Sequence, residues 1–503
     1  MLIKKIVNKY STKRLKRIDN FVKHPFTVQE ATLFDLINKA KDTEWGKRYR
    51  FDSIRDVEYF RTWLPLQTYE DVRPYIDRML DGEQNVLWHS DIKWFAMSSG
   101  TTDDKSKLIP VSEEALSSCH FRGGYDVLAI YANKNPNTKI FTSKTLTLGG
   151  SHQINKKNND SYFGDLSAIL IENIPRWANL VRTPSAKIAL LSNFDEKLNL
   201  IAQNSVKENV VAFTGVPSWN MVLMKHLLEH TKKNNILQIW PEMELFIHGG
   251  VCFDPYREQF QKLIPSPTMN YMETYNASEG FFAIQNDLQS DDMLLMLDYG
   301  VYYEFIPIEH IGKDFPEAIS LDQVELNRNY AIVITTNSGL WRYIIGDTVV
   351  FTSLEPFKIK ISGRTKQFIN AFGEELIVDN AEKALKEACA ATNAVISEYT
   401  AGPVFMTGEQ NGAHEWLIEF EKEPDSISAF TERLDIALCS LNSDYEAKRT
   451  KNITLRMPIV QSLPKGAFYK WMKQRGKLGG QNKVPRLSND RKYLDEIRKI
   501  EHG

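Results

Sequence analysis

Between two short apolar runs the chain carries Ser98-Ser99-Gly100-Thr101-Thr102, followed by Lys105 and Lys107. Small residues let backbone N–H groups approach an anion, hydroxyls donate hydrogen bonds and lysine adds charge, so a loop of this make-up suits phosphate. The same composition also makes an ordinary polar turn. Further along, Tyr275-Asn276-Ala277-Ser278-Glu279-Gly280 ends a predicted strand with a carboxylate among small residues. An oxygen donor there suits Mg²⁺, a hard cation that accompanies nucleotide phosphates. Asp347 follows Gly346 after Trp341-Arg342-Tyr343-Ile344-Ile345. A carboxylate accepts two hydrogen bonds at once, which suits a ribose diol.

Three common signatures are absent. There is no G-x-x-x-x-G-K-[ST], no G-x-G-x-x-G and no G-x-S-x-G, which disfavours a P-loop NTPase, a Rossmann dehydrogenase and an α/β-hydrolase. One other pattern does occur. His226-Leu227-Leu228-Glu229-His230 matches H-x-x-E-H, in which two histidines one turn apart could hold zinc beside a glutamate base. The alternative is an amphipathic helix with histidines near its C-terminal end, where cations suit the dipole. No third zinc ligand is identifiable from the sequence.

The order of the candidate residues is more specific than any one of them. Ser98-Ser99-Gly100-Thr101, Gly215-Val216-Pro217-Ser218-Trp219, Ala277-Ser278-Glu279-Gly280-Phe281-Phe282, Arg342-Tyr343-x-x-Gly346-Asp347, Gly363-Arg364-Thr365-Lys366 and Lys483-Val484-Pro485-Arg486 follow one another along nearly the whole chain. Together they resemble the Gretchen Hagen auxin-responsive family of acyl acid–amido synthetases, within the adenylate-forming enzymes. Trp341 stands where plant members usually carry Tyr, and Thr102-Asp103-Asp104 replaces a Ser/Gly-rich turn.

The resemblance implies an ATP- and Mg²⁺-dependent ligase that adenylates a small carboxylic acid and passes the acyl group to an amine, with amino acids as the expected acceptors. It implies that Ser98, Ser99, Gly100, Thr101 and Thr102 cradle phosphates with Lys107 adding charge. Tyr275, Ala277 and Ser278 would line the adenine, Glu279 would hold the metal, and Asp347 would take the ribose with Arg364 beside it. Lys483 would enter the site for adenylation. The acyl acid is expected near Arg122, Val216 and Trp219. An acyl-CoA or other thioester ligase shares the first half-reaction. A zinc peptidase on His226, Glu229 and His230, or a nucleotide-binding protein without catalysis, are the readings from other classes.

The elements that must position these groups point to an α/β fold. A large N-terminal domain with mixed sheets and flanking helices is expected over residues 1–362 and a smaller α+β domain over 363–503, which the resemblance implies is mobile and contributes the lysine. Helical patterns broken at Pro25, Pro65 and Pro74 fill the first ninety residues. Strands are expected at 210–214, 243–248 and 268–275 with helices between them, then antiparallel strands over 292–307 and 330–351. The stretch 142–165 reads as loop because it is rich in Gly, Asn and Ser. Beyond Gly363 the pattern is strand, helix 379–391, strands, helix 426–442 and strand.

Composition is that of an ordinary globular chain of 503 residues, 42% apolar and 25% charged, with net charge −2. That balance gives no electrostatic footprint for nucleic acid, and no apolar run reaches membrane-spanning length. Four scattered cysteines without a C-x-x-C pair suit a reducing cytoplasm. The lysine-rich segment 1–23 reads as a docked helix with a solvated basic face, with membrane-surface contact as the alternative, rather than a secretory signal. The oligomeric state is not legible.

Overall fold

The computed structural model describes residues 2–502 apart from 99–106, 149–153, 159, 192, 251–252, 314, 366–367, 370, 372–373, 375, 406–410, 450–454, 478–482 and 489. Helices occupy most of the first eighty residues, from Leu2–Lys23 to Tyr69–Leu80. Pro25 starts a helix rather than breaking one, since its missing N–H is unneeded at a first turn. Pro74 lies inside the helix Tyr69–Leu80 and does not end it. A capping box at Thr68 and Asp71 and the buried Val72, Ile76, Met79 and Leu80 hold that helix across the lost hydrogen bond.

A twelve-stranded sheet forms the centre of the molecule. One half is parallel and runs Asn270–Ala277, Leu245–Gly249, Val210–Gly215, Lys144–Thr147 and Arg182–Thr183, in that spatial order. Val210, Val211, Ala212 and Phe213 are all buried, as expected of a parallel strand covered on both faces. The other half is antiparallel and includes Val301–Pro307, Asn329–Thr336, Tyr343–Leu354 and Phe357–Arg364. A second sheet of four strands carries the hairpin Trp94–Ser98 with Lys107–Val111.

The stretch 142–165 is not the loop its composition suggests. It holds Lys144–Thr147, inside the large sheet, and Tyr162–Asp165, inside the small one. Thr145 and Thr147 face a cavity, so the strand carries polar groups where an apolar pattern would have revealed it.

Beyond Gly363 a three-stranded sheet, Val395–Val404, Ala413–Lys422 and Ile459–Leu463, packs against the helices Val378–Thr392 and Ile427–Leu441. The apolar clusters sort by position along the chain. Those of the first part end at Ile361, and those of the second begin at Ile369. Among the described residues no cluster mixes the two sides of Gly363. Lys225 with Glu421 at 3.0 Å, Gln259 with the Ile396 carbonyl at 3.4 Å and Arg486 with Tyr256 at 3.4 Å join the two parts through polar atoms.

The N-terminal helix is anchored by charge as well as by apolar packing. Arg14 is 3% exposed, so its basic face is not wholly solvated. Its guanidinium donates to Asp126 at 2.7 Å and to Asp298 at 2.6 Å, and Tyr299 donates to Asp126 at 2.6 Å. Asp126 lies on the helix Phe121–Lys134, and the cluster fixes that helix against the sheet. Among the described residues no helix is long and apolar enough to cross a membrane.

Candidate active site

A cavity of about 1770 Å³ opens at the C-terminal ends of the parallel strands. In open α/β sheets that edge is where loops converge and ligands bind. Its walls include Tyr275, Asn276, Ala277, Ser278 and Glu279 from one strand end, and Asp347 from the strand Tyr343–Leu354 in the antiparallel half of the sheet. The two groups are joined directly, because the Tyr275 hydroxyl donates to an Asp347 carboxylate oxygen at 2.7 Å. Glu279, Ser278 and Asp347 are each buried.

The position of Asp347 is set from beneath. Arg342 takes a positive φ of 44° and makes a bidentate pair with Glu304, at 3.0 and 2.8 Å. Its Nη1 also donates to the carbonyls of Arg61 and Leu64. Trp341 is fully buried and donates to the Leu87 carbonyl at 3.0 Å. Both residues are structural supports for the turn that presents Asp347. In register, Asp347 stands opposite Arg364 on the next strand.

Gly249 and Gly250 close the strand Leu245–Gly249 and line the cavity. A Cβ on Gly249 would lie 2.3 Å from the Thr274 carbonyl oxygen, so only glycine lets the strands come this close. Gly250 has φ +84°, and a Cβ there would meet Lys483 Nζ at 3.1 Å. Lys483 therefore reaches from the C-terminal part to the strand end that carries Gly250. Val216 and Trp219, at the start of the helix Pro217–Thr231, line the same cavity.

Other expected residues lie elsewhere. Arg122 donates to the Asp298 carbonyl at 3.1 Å and is absent from the cavity wall, whereas its neighbours Phe121, Gly124 and Tyr125 belong to it. Lys107 Nζ sits over the Tyr69 ring, 5.4 Å from its centroid. Ser98 ends a strand and Arg364 ends another, but their side chains, and the whole of Ser99, Gly100, Thr101 and Thr102, lie outside the described residues. His226, Glu229 and His230 share the helix Pro217–Thr231. Among the described residues no group of three or more His, Cys, Asp or Glu side chains is placed to hold a metal.

Sequence reasoning missed two histidines of the cavity wall. Burial pushes His248 down to about 3 and His120 down to about 4, so both are neutral imidazoles near neutral pH. Each has an Nδ1 without a partner. Cys119 lies behind the wall, where burial pushes its thiol up to about 12 and the Phe281 N–H donates to its sulfur at 3.1 Å. It is a packing residue and not a nucleophile. Lone histidines and a glycine pair carry no sequence signal for a shared wall.

The domain descriptions of one family match in order along the chain: GH3 family N-terminal domain over residues 14–269, GH3 family central domain over 294–364 and GH3 family C-terminal domain over 379–492. The chain belongs to the GH3 family. Indole-3-acetic acid-amido synthetase GH3.4 of Arabidopsis thaliana is 23% identical, with 94% of this GH3 chain and 91% of that protein covered. The fold is that of the solved acyl acid amido synthetase AtGH3.15 in complex with 2,4-DB, with TM-score 0.82 at 16% identity, over 98% of this chain and 96% of that one. A 2-hydroxyisobutyryl-CoA ligase in the postadenylation state shares the fold more distantly, with TM-score 0.61 at 10% identity, over 95% and 92% of the two chains.

Proposed function

We propose that this GH3 protein uses ATP to adenylate a carboxylic acid and then transfers the acyl group to an amine, an amino acid by similarity to its named relatives, forming an amide. The observation that carries this reading is the meeting of the Tyr275–Glu279 turn, Asp347 and Lys483 in one cavity. In the first step a carboxylate oxygen bonds to the α-phosphorus and the bond to the β-phosphate oxygen breaks, releasing pyrophosphate. In the second the amine nitrogen attacks the acyl carbon, AMP departs with the bonding electrons, and the amine loses its proton to solvent.

Each residue has a part that follows from its chemistry. Asp347, held by Tyr275, accepts the ribose hydroxyls, and Tyr275, Ala277 and Ser278 flank the adenine. Ser98, Ser99, Thr101 and Thr102 cradle the phosphates around Gly100, with Arg364 adding charge, whereas Lys107 is drawn to the Tyr69 ring. Glu279 would hold Mg²⁺, and its buried carboxylate at the cavity wall fits, because Mg²⁺ is bound through one or two carboxylates together with substrate phosphates and water. The ion supplies neutralisation of phosphate charge. Lys483 places a further positive charge at the reacting phosphate. Val216 and Trp219 shape the acyl pocket, whereas Arg122 is drawn away by Asp298 and contributes through the packing of its helix.

Residues 363–503 act as a separate unit that moves between the half-reactions. Support comes from the unmixed apolar clusters and from Gly363, whose φ of +152° glycine readily adopts. The deciding assay is acid-dependent pyrophosphate release across a panel of carboxylic acids, followed by amine- against CoA-dependent AMP release. Glu279→Ala should slow adenylation about a hundredfold or more while the fold persists. Wild-type turnover in that variant removes Glu279 from the metal role, and CoA dependence replaces the amide product with a thioester.

A further inference from the structure

Arg182 lies at the edge of the large sheet, on the strand Arg182–Thr183 beside Lys144–Thr147. It stands in register with Thr145, and Thr145, Thr147 and Arg182 all line the cavity. Leu146, on the opposite face, packs into an apolar cluster. Arg182 is 8% exposed. Its Nη2 donates to Asn179 at 3.1 Å, whereas Nε and Nη1 are buried without a hydrogen-bond partner.

Among the described residues nothing nearby balances that charge. Burial alone lowers its pKa, with no carboxylate contributing. Along the cavity wall contributed by 140–182, no other described side chain is charged, and Ile140, Phe141, Leu166, Leu170 and Ile174 make much of it apolar. A buried cation without partners is costly, and a guanidinium cannot shed its proton to escape that cost. The unpartnered donors are part of a planar fork that matches a carboxylate.

We propose that Arg182 anchors a second anionic group at the far end of the acyl acid, so that the preferred substrates are dicarboxylates with an apolar spacer. The inference rests on the ligase reading above. Distance separates this role from holding the reacting carboxylate. Arg182–Thr183 lies three strands from Leu245–Gly249, whose end meets Lys483, about 14 Å between backbones at a spacing of about 4.8 Å per strand. It also separates it from the acceptor, since the α-carboxylate of an amino acid lies only two bonds from its amine nitrogen.

The test compares α,ω-dicarboxylates of graded length with monocarboxylates of the same length that end in methyl. Pyrophosphate release by the full chain should favour the best diacid by about tenfold or more in kcat/KM, the worth of one charged hydrogen-bonded contact. Arg182→Met should lower diacid kcat/KM by about ten- to a hundredfold and leave the KM for ATP unchanged. Arg182→Lys, which keeps charge and loses the fork, should fall between. The diacid should raise the melting temperature of the wild type and not that of Arg182→Met. Equal use of both acid classes by wild type, or a diacid preference surviving in Arg182→Met, overturns the proposal. If diacids raise the melting temperature through Arg182 yet no acid gives ATP-dependent pyrophosphate release, the anion site stands and the ligase reading falls.

Discussion

Gly250→Ala tests whether the observed docking of Lys483 is the adenylating arrangement. The cost has two parts. At φ +84° an alanine is strained by about 1–2 kcal/mol, whatever the lysine does. In addition, the new Cβ would lie 3.1 Å from Lys483 Nζ and 3.3 Å from its Cε. Ordinary carbon contacts begin near ~3.5 Å, so the lysine must withdraw by roughly half an ångström. A displacement of about 1 Å at a reacting centre costs on the order of a hundredfold, so about tenfold is expected here. Removing the amine outright, by Lys483→Ala, should cost about a hundred- to a thousandfold. Rapid-quench measurement of acyl-adenylate formation reads the first step, and a preformed adenylate supplied with amine reads the second. Gly250→Ala and Lys483→Ala should slow the first far more than the second, and the double variant should be no slower than Lys483→Ala alone. Lys473, on the helix Ala467–Gln474 and outside the cavity wall, serves as the charge control and should be near neutral when replaced by Ala. Equal slowing of both steps, or additive losses in the double variant, refutes the assignment.

Asp347→Ala should weaken ATP binding by about ten- to a hundredfold, and unchanged affinity in calorimetry would contradict the ribose role. Arg14→Ala strands the buried Asp126 carboxylate and should cost about 3–5 kcal/mol in denaturant unfolding; a loss below about 1 kcal/mol, as for an exposed pair, would show that the cluster is not holding the helix. Stability should also fall on acidification, because His248 and His120 are held down at about 3 and 4, below their unfolded value. The unfolded chain then binds protons first, so stability is full above about pH 6.5 and declines by roughly 1.4 kcal/mol per pH unit per histidine until those lower values are passed. Removing both histidines as His120→Gln with His248→Gln should flatten the decline between pH 6.5 and 5, and an unaltered slope would exclude them as its source.

The parallel strands at 210–215 and 245–249 were legible because continuous apolar runs between helices leave few alternatives. Lys144–Thr147 and Arg182–Thr183 were not, since their cavity-facing threonines and arginine break any apolar pattern and one is only two residues long. The same division runs through the site. Glu279, Asp347 and Lys483 stand in local contexts whose order along the chain can be read directly. Arg182, His120 and His248 acquire meaning only from what surrounds them in space. Arg122 shows the reverse case: its position on the helix that borders the cavity invited a ligand role, yet the Asp298 carbonyl claims its guanidinium.

The seam between the two parts of the chain has a further consequence. Its named contacts are polar, the 3.0 Å pair of Lys225 with Glu421 and the 3.4 Å links of Gln259 and Arg486, and each apolar cluster of described residues is sealed within its own part. Polar groups released from such a seam trade one partner for water at little net loss. Parting the two therefore bares groups that water wets readily and leaves the greasy cores shut. If residues 363–503 move as proposed, the chain can open and reclose through many turnovers without becoming sticky to its neighbours, even in a crowded solution.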